Sequence, residues 1–557
     1  MSASLARPGQ RPLRTVARNV GLAASAYRLL VLALALFTLT ACTSQRIQPA
    51  PTVLPVQTLP AGAGGTLIMA LGPRDPTTLD PALVGDVTSA QIVNQIFSGL
   101  VRLNAKLEVE PDLAERWALS ADGRTYTFTL RPTACFADGT PITAEDLRYS
   151  LERATNPSLA RSLPARTYLG DIVGVREKIE GKAKTISGVQ VLNERTLALT
   201  IDAPKSYFLS KLSHPTAFVI DRRAVESGGA TWTESPNGSG PFAIETWRHD
   251  QLLVLARNPN YSHDLAKLDR LRFLMGAAAG NSMVLYEQGK LDVVDVSSVN
   301  LARVQDQSNP LSHELVSVPQ LSLFYLGLNV TRPPFDDPKV REAFTLLIDR
   351  AKLAEATLSG GAQPAYGVLP PGMPGYDPAI TPVGADPERA RALIAESRYG
   401  SVAALPPIVA YGSQAGTLRD VAKEILGLTI EVRDYESSGD YFAALSQAQF
   451  QIYGSGWIAD YPDPENFLDV LFRTGSGENH TAYASAEVDA LLDQAAVETD
   501  APKRYELYRQ AERRILADAS MVPLYHDVAH TLIKPYVRGL EVTPMGILSF
   551  ATVELVR

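Results

Sequence analysis

The chain has 557 residues, of which 45% are hydrophobic and 20% charged, and its 60 acidic side chains outnumber 52 lysines and arginines. This length and composition indicate a globular protein with more than one domain. The formal net charge of −8 argues against nucleic acid as a partner, because affinity for phosphates depends on clustered lysine and arginine.

The first 41 residues have the features of a targeting signal. They contain five arginines and no acid, so removing them would change the formal net charge from −8 to −13. The apolar run Leu29–Thr40 covers about 12 residues, which is short for a bilayer span and typical of a signal-peptide core. Leu39–Cys42 resembles the bacterial lipobox, so we expect a signal peptide over 1–41 and a lipid anchor at Cys42. An ordinary secretory signal with an incidental cysteine and an uncleaved membrane anchor are the alternatives.

Residues 42–64 are rich in Pro, Ala, Thr, Gln and Gly and show no apolar periodicity. This composition predicts a flexible tether between the anchor and the folded part. Cys135 is the only other cysteine, and it has no partner for an internal disulfide if Cys42 carries lipid. We interpret Cys135 as partly buried and unreactive.

The folded part begins with alternating strand and helix patterns. Leu67–Leu71 and Tyr126–Leu130 read as strands. Thr88 is predicted to cap a helix whose inner stripe is Ile92, Ile96 and Leu100. Thr143, with Asp146 three residues later, predicts a capping box and a second helix.

Helix starts are also visible in the second half of the chain. Asp337 followed by Pro338 predicts the N-cap and first turn of one helix, and Asp500 with Pro502 predicts the start of a second helix. The second of these helices would bury Tyr505, Tyr508, Ala511 and Ile515. Strands and helices mixed at these lengths indicate an α/β architecture.

The run from Tyr453 to Leu468 combines features of a binding site. Phe450–Tyr453 reads as a strand that opens into Gly454–Gly456, where backbone can approach a ligand closely. Trp457 offers an apolar face with one N–H donor, and Asp460 follows on a proline-rich turn. A carboxylate in this setting suits a cation such as the α-ammonium of a peptide. The alternative is that Asp460 caps a turn and Trp457 packs in the core.

Enzymatic motifs are scarce. The sequence contains no Gly-x-Ser-x-Gly elbow, phosphate loop or dinucleotide fingerprint. His526 and His530 resemble the zincin pair His-Glu-x-x-His, but that motif requires a helix, whereas Pro523 and Pro535 favour extended chain. We therefore expect no enzyme activity, metal or cofactor, and a metal-dependent surface hydrolase using these histidines is the alternative from another class.

An ordered set of short motifs resembles the bacterial extracellular solute-binding proteins of family 5, the oligopeptide- and dipeptide-binding components of import systems. Together the motifs cover almost everything from about Gly65 to the end of the chain. The matching stretches are Leu79–Pro81, Leu113–Trp117, Asp122–Gly123, Tyr126–Arg131, Phe136–Asp146, Gly240–Phe242, Arg257–Tyr261, Asn329, Pro334–Arg341, Asp349–Arg350 and Val522–Tyr525.

The resemblance implies an α/β fold of the periplasmic-binding-protein kind (type II, cluster C), with two lobes, an interlobe cleft and an inserted accessory domain. The first lobe would comprise 65–97, 222–324 and 526–557. The accessory domain would be 98–221 and the second lobe 325–525. Closure of the lobes around a ligand would follow a hinge mechanism.

The resemblance also implies a function. The chain would be a monomeric substrate-binding lipoprotein of an ABC transporter, held at the extracytoplasmic face of the membrane. It would capture oligopeptides or dipeptides in the cleft and deliver them to membrane permease subunits. A non-peptide solute, such as a nickel complex or an oligosaccharide, is the alternative within the family.

Site residues are carried over from the family's Gly-Trp-x-x-Asp motif, which stands here as Gly456–Asp460. In peptide-binding members its aspartate pairs with the ligand's α-ammonium, which assigns that role to Asp460 beside Trp457. Backbone groups of Gly456 and Ile458, with Val87 from the first lobe, would bind the peptide main chain as an added strand.

The sequence departs from the family pattern at three places. Some members carry an arginine for the ligand's carboxylate where this chain has Gly454, and Arg419 is our candidate replacement. A tyrosine that assists at the ammonium end aligns near Leu163, with Tyr168 close by. Thr417–Val432 looks shorter than the usual helix plus strand.

Overall fold

The structure is a computed structural model that describes residues 64–160, 163–357, 359, 361–381, 384–412, 414–435, 438–445, 447 and 450–556. The predicted signal peptide, Cys42 and all of the predicted tether except residue 64 lie outside the described residues. Among the described residues, no helix combines the length and the apolar character needed to cross a membrane.

The described strands are numbered in chain order. They are β1 Thr66–Gly72, β2 Val101–Leu103, β3 Val109–Pro111, β4 Ala114–Leu119, β5 Thr125–Leu130, β6 Val189–Asn193, β7 Thr196–Thr200, β8 Phe242–Arg248, β9 Leu252–Arg257, β10 Arg270–Met275, β11 Val293–Asp295, β12 Leu315–Pro319, β13 Ser322–Leu328, β14 Ala362–Pro364, β15 Ile408–Tyr411, β16 Ile430–Arg433, β17 Ile452–Ile458, β18 Met521–Ile533, β19 Val537–Arg538, β20 Glu541–Val542, β21 Leu548–Ser549 and β22 Glu554–Leu555.

The described helices include short 3₁₀ segments at Pro81–Leu83, Pro215–Ala217, Gly229–Glu234, Pro310–Glu314 and Val402–Ala404, and a π-helical turn at Leu353–Thr357. The α-helices are α1 Val87–Ile96, α2 Ala144–Ala154, α3 Ala165–Tyr168, α4 Val175–Ile179, α5 Phe208–Lys211, α6 Arg222–Gly228, α7 Gly276–Ala279, α8 Ser282–Glu287, α9 Ser298–Gln305, α10 Pro338–Thr345, α11 Arg350–Lys352, α12 Pro387–Glu396, α13 Ala415–Leu426, α14 Ser438–Leu445, α15 Glu465–Phe472, α16 Ala486–Val497 and α17 Ala501–Ala517.

One long strand joins the two halves of a large mixed sheet. The sheet runs β16-β15-β17-β13-β18-β11-β1-β10-β9-β8, and β12 and β14 also pair with β18. The first part of β18 pairs antiparallel with β13, and its last three residues pair with β11. Both halves of the sheet are therefore joined through hydrogen bonds to one continuous strand, β18.

A second, antiparallel sheet has the order β4-β5-β7-β6. Its core is formed by residues between 82 and 219, including Phe128, Leu147 and Phe208, which are fully buried. Separate cores cover the β13–β17 half and the β1–β10 half of the large sheet. The assignment of these parts to the lobe boundaries given above stays a prediction.

Three of the four predictions from helix-start chemistry are confirmed. Thr143 and Asp146 form a complete capping box at α2. Asp337 caps α10, with Pro338 as its first residue, and Asp500 caps α17. The predicted buried stripe of α17 is confirmed at Tyr508, Ala511 and Ile515, whereas Tyr505 is only half-buried.

Three local predictions were wrong. Asp86, not Thr88, caps α1, because its carboxylate reaches the backbone N–H of Ser89. The helix ends at Ile96, so Leu100 lies beyond it. The glycine opening after Tyr453 is part of β17, which continues to Ile458 because β13 supplies a full ladder partner.

The segment 417–432 contains most of α13 and the first three residues of β16. That it is shorter than usual in the family stays a prediction. Cys135 is half-buried and its thiol donates to the carbonyl of Asn260 at 3.0 Å. Burial raises the pKa of this thiol, with a further contribution from Asp138, which agrees with an unreactive cysteine.

Candidate functional site

Asp460 lies two residues beyond the end of β17 and is held by Asn466. The backbone N–H of Asp460 and the indole N–H of Trp457 both donate to Oδ1 of Asn466, at 3.0 and 3.1 Å. The Asn466 amide donates in return to Oδ2 of Asp460 at 3.3 Å. Asn466 is 0% exposed near the start of α15, so it fixes the turn as a rigid unit.

Tyr168, the last residue of α3, reaches the same carboxylate from a segment 292 residues away. Its hydroxyl donates to Oδ2 of Asp460 at 2.7 Å. The Tyr168 ring stacks on His214 with 3.5 Å between ring centroids. Burial lowers the pKa of His214 to about 3, so this partner is neutral and adds no charge to the site.

The Asp460 carboxylate is short of hydration and has no cationic partner among the described residues. Burial raises its pKa from 3.8 to about 6, although the hydrogen bonds from Tyr168 and Asn466 act in the opposite direction. In the described part of the chain, no basic side-chain nitrogen lies within 4.0 Å of it. A half-buried carboxylate that has two neutral donors, and no counter-ion in the part of the chain that the structure describes, is suited to an incoming cation.

A buried charge network lies beside this turn. Lys211 is 2% exposed and places Nζ 2.9 Å from Asp171 and 3.2 Å from Glu465. Asp171 also accepts from Lys205 at 2.6 Å. Burial raises the pKa of Glu465 despite the attraction of Lys211, and the two lysines outweigh burial to lower the pKa of Asp171.

The exposed edge of β17 is the second feature of the site. β15 pairs with β17 only at Ile452 and Tyr453, so within the described ladders the edge facing away from β13 has no partner strand from Gly454 onward. Gly456 is exposed there, while Trp457 and Ile458 are half-buried. Backbone groups on such an edge can accept another strand.

Val87 lies apart from the Asp460 cluster. It is the first residue of α1, is 39% exposed and lines a separate cavity. The two places are linked through the start of β13, because Gln320 lines that cavity and the carbonyl of Leu321 accepts from Ala459 at 2.8 Å. The structure therefore groups Gly456, Trp457, Ile458 and Asp460, with Val87 at the adjacent cavity.

Comparisons with known proteins identify the family. A sequence model described as "Bacterial extracellular solute-binding proteins, family 5 Middle" matches residues 108–479. The chain belongs to this family. Its members are solute-binding proteins, which agrees with the prediction of no enzyme activity.

Relatives of this family-5 protein match over most of their length. One is "Probable deoxycholate-binding periplasmic protein YgiS" of Escherichia coli K12, 32% identical over 84% of this chain and 89% of the relative. Another is the dipeptide-binding protein DppE of Bacillus subtilis, 28% identical over 87% of this chain and 91% of the relative.

The solved structure of the E. coli murein tripeptide-binding protein MppA has a TM-score of 0.80 at 27% identity and covers 90% of this family-5 chain and 100% of its own. This likeness confirms the predicted two-lobed α/β fold. The TM-score against the unliganded open form of MppA is lower, 0.68. This chain therefore resembles the MppA structure with the TM-score of 0.80 more closely than it resembles the open form.

Two departures from the family-5 pattern now have structural explanations. Gly454 is buried, and a Cβ added there would lie 2.5 Å from Oε1 of Gln414, so a side chain at this position would require Gln414 to move. The tyrosine that contacts Asp460 is Tyr168, five residues after the aligned position, Leu163. Tyr168 could be suspected from the sequence because it lies close to the position at which the family's tyrosine aligns.

Arg419 lies exposed on α13, where its Nε donates to Asp420 at 2.8 Å. This placement gives Arg419 an ion-pair partner of its own. Its role at a ligand carboxylate stays a prediction. Asn466 and Lys211 were missed by the sequence analysis, because their importance comes from contacts with Asp460 and Glu465 that only the fold creates.

The two histidines of the metal alternative lie on β18, as the flanking prolines predicted. Four residues of strand separate their Cα atoms by about 13 Å, so the zincin arrangement on one helical face is not formed. The Nδ1 of His526 donates to the carbonyl of Ser322 at 2.7 Å, and burial lowers its pKa to about 4.

The hydroxyl of Tyr168 is expected to set the acidity of Asp460. Replacing Tyr168 with phenylalanine removes a hydrogen bond that stabilises the carboxylate, so the pKa of Asp460 should rise above about 6. NMR titration of ¹³C-labelled aspartate carboxyls would measure it, with the signal assigned by its loss in Asp460→Asn. An unchanged or lower midpoint would show that the Tyr168 contact does not form in solution.

Proposed function

We propose that this family-5 protein captures short peptides outside the cytoplasm and delivers them to the permease subunits of an ABC import system. The observation that carries the proposal is Asp460: its carboxylate is dehydrated, bonded by neutral donors and without a cation in the described part of the chain. A peptide α-ammonium would supply the missing charge and fix one end of the ligand.

The peptide main chain would then add as a strand along the exposed edge of β17 at Gly456 and Ile458, with Val87 bonding it from the other side. Main-chain bonding is independent of side-chain identity, so one site could take many sequences. The names of DppE and MppA, which are dipeptide- and murein-tripeptide-binding proteins, support a peptide ligand.

We further propose that the chain is a monomeric lipoprotein, processed at Ala41 and anchored to the extracytoplasmic face of the membrane by lipid on Cys42. The support is the lipobox-like sequence and the tether-like composition that follows it. Detergent partitioning of the native protein, compared with a Cys42→Ser variant, tests the anchor. Equal detergent partitioning of the native protein and the Cys42→Ser variant would contradict the lipid anchor.

Isothermal titration calorimetry of the full chain in detergent with a mixture of di- to pentapeptides tests the peptide function. Saturable heat with peptides is the expected result. A non-peptide solute is favoured by the name of YgiS, so deoxycholate, a nickel complex and an oligosaccharide are the comparison ligands. Binding of one of these without any binding of peptides would contradict the proposal.

Peptide affinity is expected to depend on pH through Asp460. Only the ionised carboxylate pairs with an ammonium, and its pKa in the free protein is about 6. Affinity should therefore change little between about pH 6.5 and 7.5, and fall by up to about tenfold for each pH unit below 6. Above about pH 8 it should fall again, because the peptide α-amino group loses its proton. The same titration on Asp460→Asn should lack this dependence, and a wild-type affinity that stays flat down to pH 5 would contradict the assignment.

A further inference from the structure

A cavity of about 440 Å³ lies beside Val87, next to the Asp460 cluster but separate from it. Its walls come from the end of β1, from α1, from the residues after β11, from the middle of β18 and from the β20–β21 turn. Polar and charged residues that line it include Asp295, Gln320, Asp527, His530 and Thr531.

The charged groups that line this cavity are acidic. Asp295 and Asp527 both line it, whereas no lysine or arginine of the described residues does. Oδ1 of Asp295 accepts from the Thr531 hydroxyl at 3.0 Å, and Oδ1 of Asp527 accepts from the Val528 N–H at 3.0 Å. Within the described ranges, no basic side-chain nitrogen approaches either carboxylate within 4.0 Å. The described hydrogen-bond partners of both acids are therefore neutral.

The two carboxylates also lack full hydration. Asp295 exposes its side chain to the cavity, yet the surrounding protein removes enough water to raise its pKa, and the Thr531 bond only reduces this effect. Burial raises the pKa of Asp527 in the same way. A surface acid would be fully hydrated, so these two are placed where an organic cation would gain more than it would on the open surface.

The spacing of the two acids selects the kind of cation. Asp295 stands opposite Thr531 in the β11–β18 ladder, and Asp527 is four residues earlier on β18. The strand rise puts these two points about 13 Å apart, which is too far for one metal ion to bridge. A long flexible side chain with a terminal charge can reach one acid and lie in the field of the other.

We infer that this cavity is a specificity pocket for a cationic side chain, lysine or arginine, of the bound ligand, with Asp295 as its direct partner and Asp527 adding to the negative field. The inference rests on the proposed peptide function, because Val87 at the rim would hold the peptide backbone whose side chain enters the cavity. The small neutral groups around the acids leave other side chains acceptable but less tightly bound.

The test compares matched tripeptides on the full chain. Trialanine and its three single-lysine variants are titrated by calorimetry beside the same peptides carrying Nε-acetyl-lysine, which keeps the stem and removes the charge. At one position the lysine peptide should bind at least tenfold more tightly than its acetylated counterpart. Asp295→Asn should reduce this ratio to below threefold and leave trialanine affinity within threefold of wild type.

Asp527→Asn is the second variant and should reduce the ratio in part. Glu342→Gln is the matched control, since it removes the same charge from an exposed site on α10 and should preserve the ratio. Equal affinity of lysine and acetyl-lysine peptides at every position would overturn the inference while leaving the peptide function intact. A ratio preserved in both Asp295→Asn and Asp527→Asn would overturn it too. No binding by any peptide would overturn both.

Discussion

Replacing Asp460 with asparagine is expected to weaken peptide binding and to stabilise the fold at the same time. The lost pairing with an ammonium should cost about 3 kcal/mol, roughly a hundredfold in affinity. The substitution should also increase the free energy of unfolding. Burial raises the pKa of Asp460 from 3.8 to about 6, so its ionisation destabilises the folded state by up to about 3 kcal/mol at neutral pH. Asparagine keeps an oxygen acceptor for Tyr168 without the charge.

The sign of the stability effect follows from linkage. Since burial raises the folded-state pKa of Asp460, ionisation destabilises the fold as pH rises from about 4 to 6, and the full cost is present above 6. Calorimetric melting of wild type and Asp460→Asn should therefore show a gain of a few degrees at pH 7.5 that shrinks at pH 4.5. Exposed Asp264→Asn is the control. A lower melting temperature for Asp460→Asn at pH 7.5 would contradict the account.

Replacing Lys211 with methionine is expected to cause the largest loss of stability. Lys211 is 2% exposed and is within 3.2 Å of Glu465 and 2.9 Å of Asp171. Asp171 keeps Lys205, but Glu465 is left buried with Tyr461 as its remaining donor. Removing one partner from a buried ion pair typically costs about 3–5 kcal/mol because the other charge stays uncompensated.

Denaturant unfolding measures this loss, and two further variants define its cause. Lys182→Met removes an exposed lysine from the same part of the chain and should change stability by less than about 0.5 kcal/mol. Adding Glu465→Gln to Lys211→Met should restore part of the stability, because the isolated charge is then gone. If Lys211→Met were as stable as Lys182→Met, the charge network would not hold these segments together.

Local chemistry predicted much of the fold but not the contacts between distant residues that form the site. The capping box at Thr143 and the caps at Asp337 and Asp500 follow from neighbours one to three residues away, so they could be predicted from the sequence. The strand through Gly454–Gly456 depends on its ladder with β13, more than 120 residues earlier, and was missed for that reason. Propensity alone does not place glycines in a strand that tertiary pairing supports.

The partners of Asp460 show the same division. Asn466 is six residues away and lies in the same run, Tyr453–Leu468, whereas Tyr168 comes from a distant segment. The family pattern pointed to a tyrosine near Leu163, but only the packing of α3 on the Asp460 turn decides that it is Tyr168. The Lys211–Glu465 pair joins positions 254 residues apart and left no local signal in the sequence.

The central claim is that the Asp460 carboxylate receives the ammonium end of a peptide. Calorimetry at pH 7.5 with a peptide that binds, and with the same peptide acetylated at its amino terminus, tests it on wild type and on Asp460→Asn. Acetylation should weaken binding to wild type by about a hundredfold and binding to Asp460→Asn by less than threefold. Equal affinity of wild type for the free and acetylated peptides would contradict it.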